Sequence, residues 1–104
     1  MAKESKIERF FVQGCKKNGW LCLKFLSPSM TGLPDRIILM PQGRIFFAEL
    51  KAPGKRPRAL QQAVHNQLRK LGFSVCVIDS IETANTYLDV FGMLGGDRNE
   101  VHTP

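Results

Sequence analysis

The sequence has few cysteines, no long apolar run and a shortage of acidic residues relative to basic ones. Three cysteines in 104 residues cannot form a fully paired disulfide framework, and there is no CxxC pair or suitably spaced histidine for a zinc site. We expect Cys15, Cys22 and Cys76, which lie in apolar runs, to be reduced core residues. No stretch approaches the roughly 18 apolar residues of a membrane span, and the N-terminus lacks an apolar signal region. The sequence therefore predicts a cytoplasmic protein without a membrane segment.

Size and charge indicate one domain with a polyanionic partner. A chain of 104 residues with 43% hydrophobic residues can build a single core. We expect residues 1–91 to form this domain and residues 92–104 to form a flexible C-terminal tail. The formal net charge is +6, and residues 51–78 hold six basic side chains and no acid. This concentration of positive charge favours a partner such as a nucleic acid.

Hydrophobic periodicity predicts the element order α-β-β-β-α-β-α, an α/β fold with a mixed sheet flanked by helices. The first helix should begin with a capping box of Ser5 and Glu8 and end at residues 18–19. The last helix should be capped by Asp79 with Glu82. The elements after the first helix are expected, in chain order, at residues 20–25, 35–40, 44–50, 58–71, 73–78 and 79–88. The helix at residues 58–71 carries an apolar stripe of Leu60, Val64, Leu68 and Leu71.

The two central strands are joined by Pro41-Gln42-Gly43, a length and chemistry typical of a hairpin turn. If Met40 pairs with Arg44, the antiparallel register places Asp35 directly opposite Glu49. A bulge in the turn would shift this register by one residue. The hairpin therefore predicts two facing carboxylates.

Facing carboxylates on an apolar sheet repel each other and lose hydration, and a bound divalent cation would offset both penalties. Oxygen ligands favour Mg²⁺, Mn²⁺ or Ca²⁺ over zinc, and Mg²⁺ usually takes one or two carboxylates with water and substrate phosphate. Lys51 lies two residues after Glu49 and so shares its strand face. Alone, each residue fits an ordinary turn or strand edge. Together, the acid, the hairpin and the E-x-K spacing favour a metal site.

Other polar residues near this site have more than one interpretation. Glu4 and Glu8 point toward the apolar side of the first helix, so one or both could reach the same metal. Glu8 could instead serve only its capping box. His65 lies one helical turn after Gln61 and could approach a substrate, but a lone helical histidine is more often a surface or packing residue.

The residues around the hairpin form a compound motif. It consists of Gly32-Leu33-Pro34-Asp35-Arg36, then Glu49-Leu50-Lys51-Ala52-Pro53-Gly54-Lys55, then Gln61. This motif resembles the VRR-NUC (virus-type replication-repair nuclease) branch of the PD-(D/E)xK nucleases, and the match extends from about residue 4 to residue 79. The resemblance implies a restriction-endonuclease-like fold and cleavage of DNA.

The resemblance also implies a set of metal ligands. Asp35 and Glu49 would bind Mg²⁺, for which Mn²⁺ could substitute, and the Leu50 carbonyl could ligate the same ion. The acidic residue that the family carries on its first helix matches Glu8 best, with Glu4 one turn earlier as the alternative.

Catalytic support is implied for two further positions. Lys51 would contact the attacking water or the scissile phosphate, and Gln61 would support the site from the start of the following helix. The basic side chains expected to grip the flanking phosphates without reading bases are Lys55, Arg56 and Arg58.

Small members of the family resemble viral or phage junction-resolving enzymes that act as homodimers, whereas the same domain fused to large proteins serves DNA repair. We therefore expect a structure-selective endonuclease that resolves four-way (Holliday) or other branched DNA as a homodimer, in the host cytoplasm if phage-encoded. The alternatives are a non-catalytic nucleic-acid-binding module and a restriction-type endonuclease acting on linear duplex. The candidates for an apolar interface patch are Phe91, Met93 and Leu94.

Overall fold

The computed structural model describes the backbone of residues 3–102 and the side chains of residues 3–94. In chain order the elements are α1 (Glu4–Lys17), β1 (Leu21–Lys24), β2 (Arg36–Met40), a 3-10 turn (Pro41–Gly43), β3 (Arg44–Leu50), α2 (Ala59–Lys70), β4 (Ser74–Ile78) and α3 (Ile81–His102). The predicted α/β class and the order α-β-β-β-α-β-α are confirmed.

The four strands form one mixed sheet in the order β1-β2-β3-β4. β2 is antiparallel to both β1 and β3, and β4 runs parallel to β3. A parallel pair requires a crossover connection, and here the basic loop with α2 supplies it. The start of α2 is therefore close in sequence to the end of β3, where the E-x-K residues lie.

The β2–β3 hairpin has the register expected without a bulge. Met40 pairs with Arg44, and the pairing continues unshifted to Arg36 opposite Ala48. In the turn, Gln42 has a φ of 67° and the following glycine a φ of 72°, both in the left-handed region that lets so short a segment reverse the chain.

One face of the sheet packs against α1 and α3 and forms the main core. At its centre Phe46 stacks on Phe91, with ring centroids 4.0 Å apart. Phe11 and Trp20 meet the Phe46 ring edge-on at 6.3 and 6.1 Å. The other buried members of this core are Ile7, Cys15, Ile38, Met40, Ala48, Leu50, Cys76, Ile78, Ala84 and Leu88. All three cysteines are free, as predicted, with Cys22 half-buried.

The other sheet face receives α2, and this helix buries Val64 of its predicted apolar stripe but not the stripe as a whole. The buried side chains of α2 are Gln61, Val64 and His65. Leu60 and Leu71 of the predicted stripe are 56% and 74% exposed. The helix is rotated so that polar groups face the sheet, because β3 presents a buried carboxylate there rather than another apolar side chain.

The predicted capping box of α1 is wrong. The helix begins at Glu4 with Lys3 as its N-cap, and no side chain caps it. Glu8 lies in the second turn, where its carboxylate pairs with Arg36 of β2. The Glu8 carboxylate therefore pairs with the guanidinium of Arg36 on the sheet, and not with the backbone N–H of Ser5 as the sequence predicted.

The predicted cap of α3 is also wrong, by one residue at each position. Ser80, not Asp79, precedes the helix, and its Oγ accepts a hydrogen bond from the backbone N–H of Thr83 at 2.9 Å. Thr83 therefore occupies the third position after the N-cap, which the sequence predicted for Glu82.

The final helix is longer than expected and extends to His102. Residues 103–104 lie outside the described part of the chain, and flexibility beyond residue 91 stays a prediction. Phe91 is a core residue rather than part of an apolar patch, whereas Met93 and Leu94 are 69% and 54% exposed. Between residues 3 and 102, none of the helices has the length and apolar character needed to span a bilayer.

Candidate active site

The side-chain amide of Gln61 connects the predicted site residues. Its Nε2 donates to Glu49 Oε2 at 2.9 Å. Its Oε1 accepts from Lys51 Nζ at 3.1 Å and from the backbone N–H of Arg58 at 2.8 Å. Since Arg58 is the N-cap residue of α2, the last bond also secures the start of the helix. One amide thus fixes the carboxylate, the lysine and the helix start relative to each other.

Lys51 is anchored at both ends. Its backbone N–H donates to the Ile78 carbonyl at 2.9 Å, which extends the contact between β3 and β4 by one residue. Its Nζ lies 3.4 Å from Glu49 Oε2, and its side chain is 18% exposed against 2% for that of Glu49. An ammonium has three N–H donors, so capacity remains for a ligand approaching from solvent.

Asp35 is held against the end of β3. Its Oδ2 accepts a hydrogen bond from the backbone N–H of Leu50 at 2.8 Å. The negative charge of Asp35 also raises the pKa of Glu49, so the two carboxylates interact electrostatically. The structure therefore brings the two acids together at one end of the hairpin. The role of the Leu50 carbonyl as a ligand stays a prediction.

The buried position of Glu49 disfavours the charged form of its carboxylate. Its residue is 1% exposed, and burial is the main cause that raises its pKa from 4.5 to about 6. The charges of Asp35 and Glu4 raise this pKa further, and Lys51 opposes them. Glu49 Oε1 is buried and has no hydrogen-bond partner among the residues that the structure describes. A cation bound beside this carboxylate would relieve both the repulsion and the desolvation.

The donor set fits a hard divalent cation. Two carboxylates offer oxygen ligands, which Mg²⁺ and Mn²⁺ prefer. Within residues 3–94, no three His, Cys, Asp or Glu side chains converge to hold a metal by themselves. Mg²⁺ usually takes only one or two carboxylates and completes its shell with water and substrate phosphate. The site is therefore compatible with this ion and unlike a structural zinc site.

We expect Glu49 to make the metal-free protein less stable as the pH rises. Its pKa of about 6 in the folded protein exceeds the ordinary 4.5, so the folded state holds the proton more tightly. The free energy of unfolding should therefore fall by about 2 kcal/mol as the pH rises from 4.5 through about 6. Urea unfolding of wild type and Glu49→Gln near pH 4 and pH 7 measures it. A difference in stability between the two proteins that does not change with pH would contradict the prediction.

A cleft of about 530 Å³ opens beside Asp35 and Gln61. The loop of residues 26–34 forms one wall, and α1 contributes both of its candidate acids, Glu4 and Glu8. A space of this size, lined by acids at one point and bases at others, can admit a phosphate group together with water.

The two acids of α1 differ in availability. Arg36 contacts Glu8 Oε2 through Nε at 3.0 Å and through Nη2 at 2.9 Å, which neutralises the Glu8 charge. Glu4 makes no ion pair among residues 3–94, and its charge raises the pKa of Glu49. The geometry therefore leaves Glu4 as the more available carboxylate, although Glu8 was the better match to the motif.

The predicted DNA-binding residues are divided between the cleft and the adjoining loop. Arg58 lines the cleft, whereas Lys55 and Arg56 are exposed in the loop between β3 and α2. The loop turns tightly, since the Lys55 N–H donates to the Ala52 carbonyl at 3.0 Å and Gly54 has a φ of 78°.

Two residues near the site were not among the predicted site residues, although His65 had been considered as one that could approach a substrate. Lys24 lines the cleft because β1 pairs it with Arg36, the neighbour of Asp35. His65 is 1% exposed, and its Nε2 lies 3.6 Å from Glu49 Oε1. The available signal for His65 was its spacing of four residues from Gln61, which places both on one face of α2.

Comparison with known proteins gives two informative similarities. No model of a known protein family matches the chain. The chain is 41% identical over 80 residues to the protein named "Putative nuclease p44" of Acyrthosiphon pisum secondary endosymbiont phage 1, covering 77% of this chain and 86% of that protein. A solved structure described as a VRR_NUC domain has a TM-score of 0.79 at 26% identity, covering 86% of this chain and 97% of that one. Both similarities extend over most of the chain and so concern the whole fold.

Proposed function

Because this chain belongs to the VRR-NUC family of nucleases, we propose that it is a metal-dependent endonuclease that hydrolyses phosphodiester bonds in branched DNA. The observation that carries the proposal is the buried Glu49, whose pKa is raised and which Gln61 holds beside Lys51. Asp35 lies close enough to act on the same carboxylate. With a cation and a phosphate bound next to them, these residues would form a catalytic site.

Asp35 and Glu49 would hold Mg²⁺, or Mn²⁺ in its place, with the Leu50 carbonyl and an acid of α1 as further ligands. We propose Glu4 for that acid, since Arg36 occupies Glu8. When bound, the ion polarises the phosphate and lowers the pKa of a bound water.

The side chains supply orientation and positive charge. Lys51 Nζ is fixed by Gln61 and Glu49, so its remaining donor capacity can be directed at a phosphate oxygen or at the attacking water. A donor that is already in place needs no reorganisation as negative charge develops, which is why it stabilises the transition state. The residues that would bind the flanking phosphates are Arg58 in the cleft and Lys55 and Arg56 in the loop.

We propose that two copies act together on four-way (Holliday) junctions. Resolving a junction symmetrically requires two active sites, and the described residues form one, so a two-fold homodimer is the simplest assembly. The similar protein from a phage supports a role in phage DNA metabolism within the host cytoplasm.

A supercoiled plasmid with an extruded cruciform tests substrate and assembly together. With Mg²⁺ or Mn²⁺ we expect linear plasmid, because paired cuts by a dimer sever both strands during one encounter, and EDTA should abolish cleavage. The control is the same plasmid without the cruciform sequence.

Each other outcome contradicts a defined part of the proposal. Nicked circles alone would contradict the dimer. Equal cutting of the control plasmid would favour a restriction-type endonuclease. Binding without cleavage under either metal would favour the non-catalytic module.

A further inference from the structure

His65 is a buried histidine beside Glu49 to which the proposed chemistry gives no role. Its Nε2 lies 3.6 Å from Glu49 Oε1, and both side chains are 2% exposed. Both atoms are buried, and neither has a hydrogen-bond partner in the part of the chain that the structure describes. A buried donor or acceptor without a partner is destabilising and uncommon, so two complementary ones that face each other require an explanation.

We propose that His65 is a positioning residue, whose Nε2–H donates to Glu49 Oε1 and holds this carboxylate in its metal-binding orientation. A movement of about 0.6 Å would bring the pair to the usual N–H···O distance, and such contacts often tighten when an active site is loaded. A carboxylate oxygen has two lone pairs, so this bond leaves one for a cation. The inference rests on the proposed metal-dependent function.

With this bond, α2 holds both oxygens of Glu49. Gln61 donates to Oε2 at 2.9 Å, and His65 would donate to Oε1 from one helical turn later. Hydrogen bonds from such neighbouring residues commonly orient metal-binding carboxylates. This accounts for the rotation of α2, which turns two polar side chains toward the sheet.

The proposed bond does not depend on the charge of the imidazole, because Nε2 can carry a proton in both the neutral and the charged form. Burial is the largest cause that lowers the pKa of His65, followed by the charges of Arg69 and Lys51, with Asp35 opposing them. A neutral imidazole carries one N–H, and the tautomer with the proton on Nε2 directs it at Glu49.

Titration of Mn²⁺ into the DNA-free full chain, followed by calorimetry, tests the positioning role. His65→Leu should bind Mn²⁺ about tenfold more weakly, because Glu49 loses its second orienting bond. His65→Gln, whose amide can donate from a similar place, should retain most of the affinity. The control is Val64→Ala, a neighbouring buried residue of α2 whose apolar side chain cannot hydrogen-bond to Glu49; this variant should bind Mn²⁺ as wild type does.

Equal Mn²⁺ affinity in wild type and His65→Leu would overturn the proposal. So would an equal loss in His65→Gln or in Val64→Ala, since each would indicate a packing role only.

A measurement on the metal-free protein that needs no variant of His65 separates this inference from the proposed function. Nitrogen-15 NMR should show the His65 proton on Nε2, with a resonance that shifts in Glu49→Gln. If the proton is on Nδ1, the inference fails whatever the metal does. If the bond is present but wild type binds no Mn²⁺, the proposed function fails while the contact between His65 and Glu49 is upheld.

Discussion

Replacing Glu49 by Gln should lower the rate of DNA cleavage by about a thousandfold and leave DNA binding intact. Glutamine keeps the shape of the side chain and can still accept a hydrogen bond from Gln61 or Lys51, but it lacks the charge that binds a hard cation. Single-turnover cleavage of a labelled four-way junction with Mg²⁺ gives the rate. Fluorescence anisotropy of the same junction in EDTA gives the binding.

Loss of folding cannot explain that result if stability is measured together with activity. Because the charged form of Glu49 is disfavoured by burial, Glu49→Gln should be at least as stable as wild type near neutral pH. The matched control is Glu82→Gln, an exposed glutamate in the first turn of α3, which should cleave normally. Cleavage by Glu49→Gln at a rate close to that of this control would remove Glu49 from the chemistry.

Replacing Lys51 by Met should lower the cleavage rate by about a hundredfold or more. Methionine has a similar length but no charge, so the phosphate loses a donor that Gln61 and Glu49 had fixed in place. The variant should also act best at higher pH than wild type. Lys51 lowers the pKa of Glu49, and without it this carboxylate loses its proton only at a higher pH.

Single-turnover rates across the pH range test both parts of this prediction. The matched control is Lys6→Met, an exposed lysine of α1, which changes the net charge equally and should cleave as wild type does. If Lys51→Met differs from wild type only in its affinity for DNA, Lys51 binds substrate and takes no part in the reaction.

The polar contacts beneath α2 illustrate a conflict between local pattern and function. A helix with an apolar stripe would ordinarily bury that stripe, yet here Val64 is buried with Gln61 and His65 while Leu60 and Leu71 are exposed. The failure of a local rule is expected where a fold supports a site, since the chemistry requires polar groups that packing alone would exclude. The burial of Gln61 and His65 on this helix is therefore itself a sign of the site.

Some of the site follows from the sequence alone because one hairpin carries it. Turn length and strand alternation are local properties, and together they determine that Asp35 and Glu49 lie at the same end of β2 and β3. The E-x-K spacing then places Lys51 on the face of Glu49. The element order follows for the same reason, since hydrophobic periodicity depends on near neighbours.

Only the tertiary structure decided how separate elements meet at that hairpin. Arg36 pairs with Glu8, which lies 28 residues earlier in the sequence. This leaves Glu4 as the available acid of α1. The rotation of α2 decides that His65 faces Glu49. Such contacts depend on how helices pack on the sheet, and a periodic pattern within one helix does not contain that information.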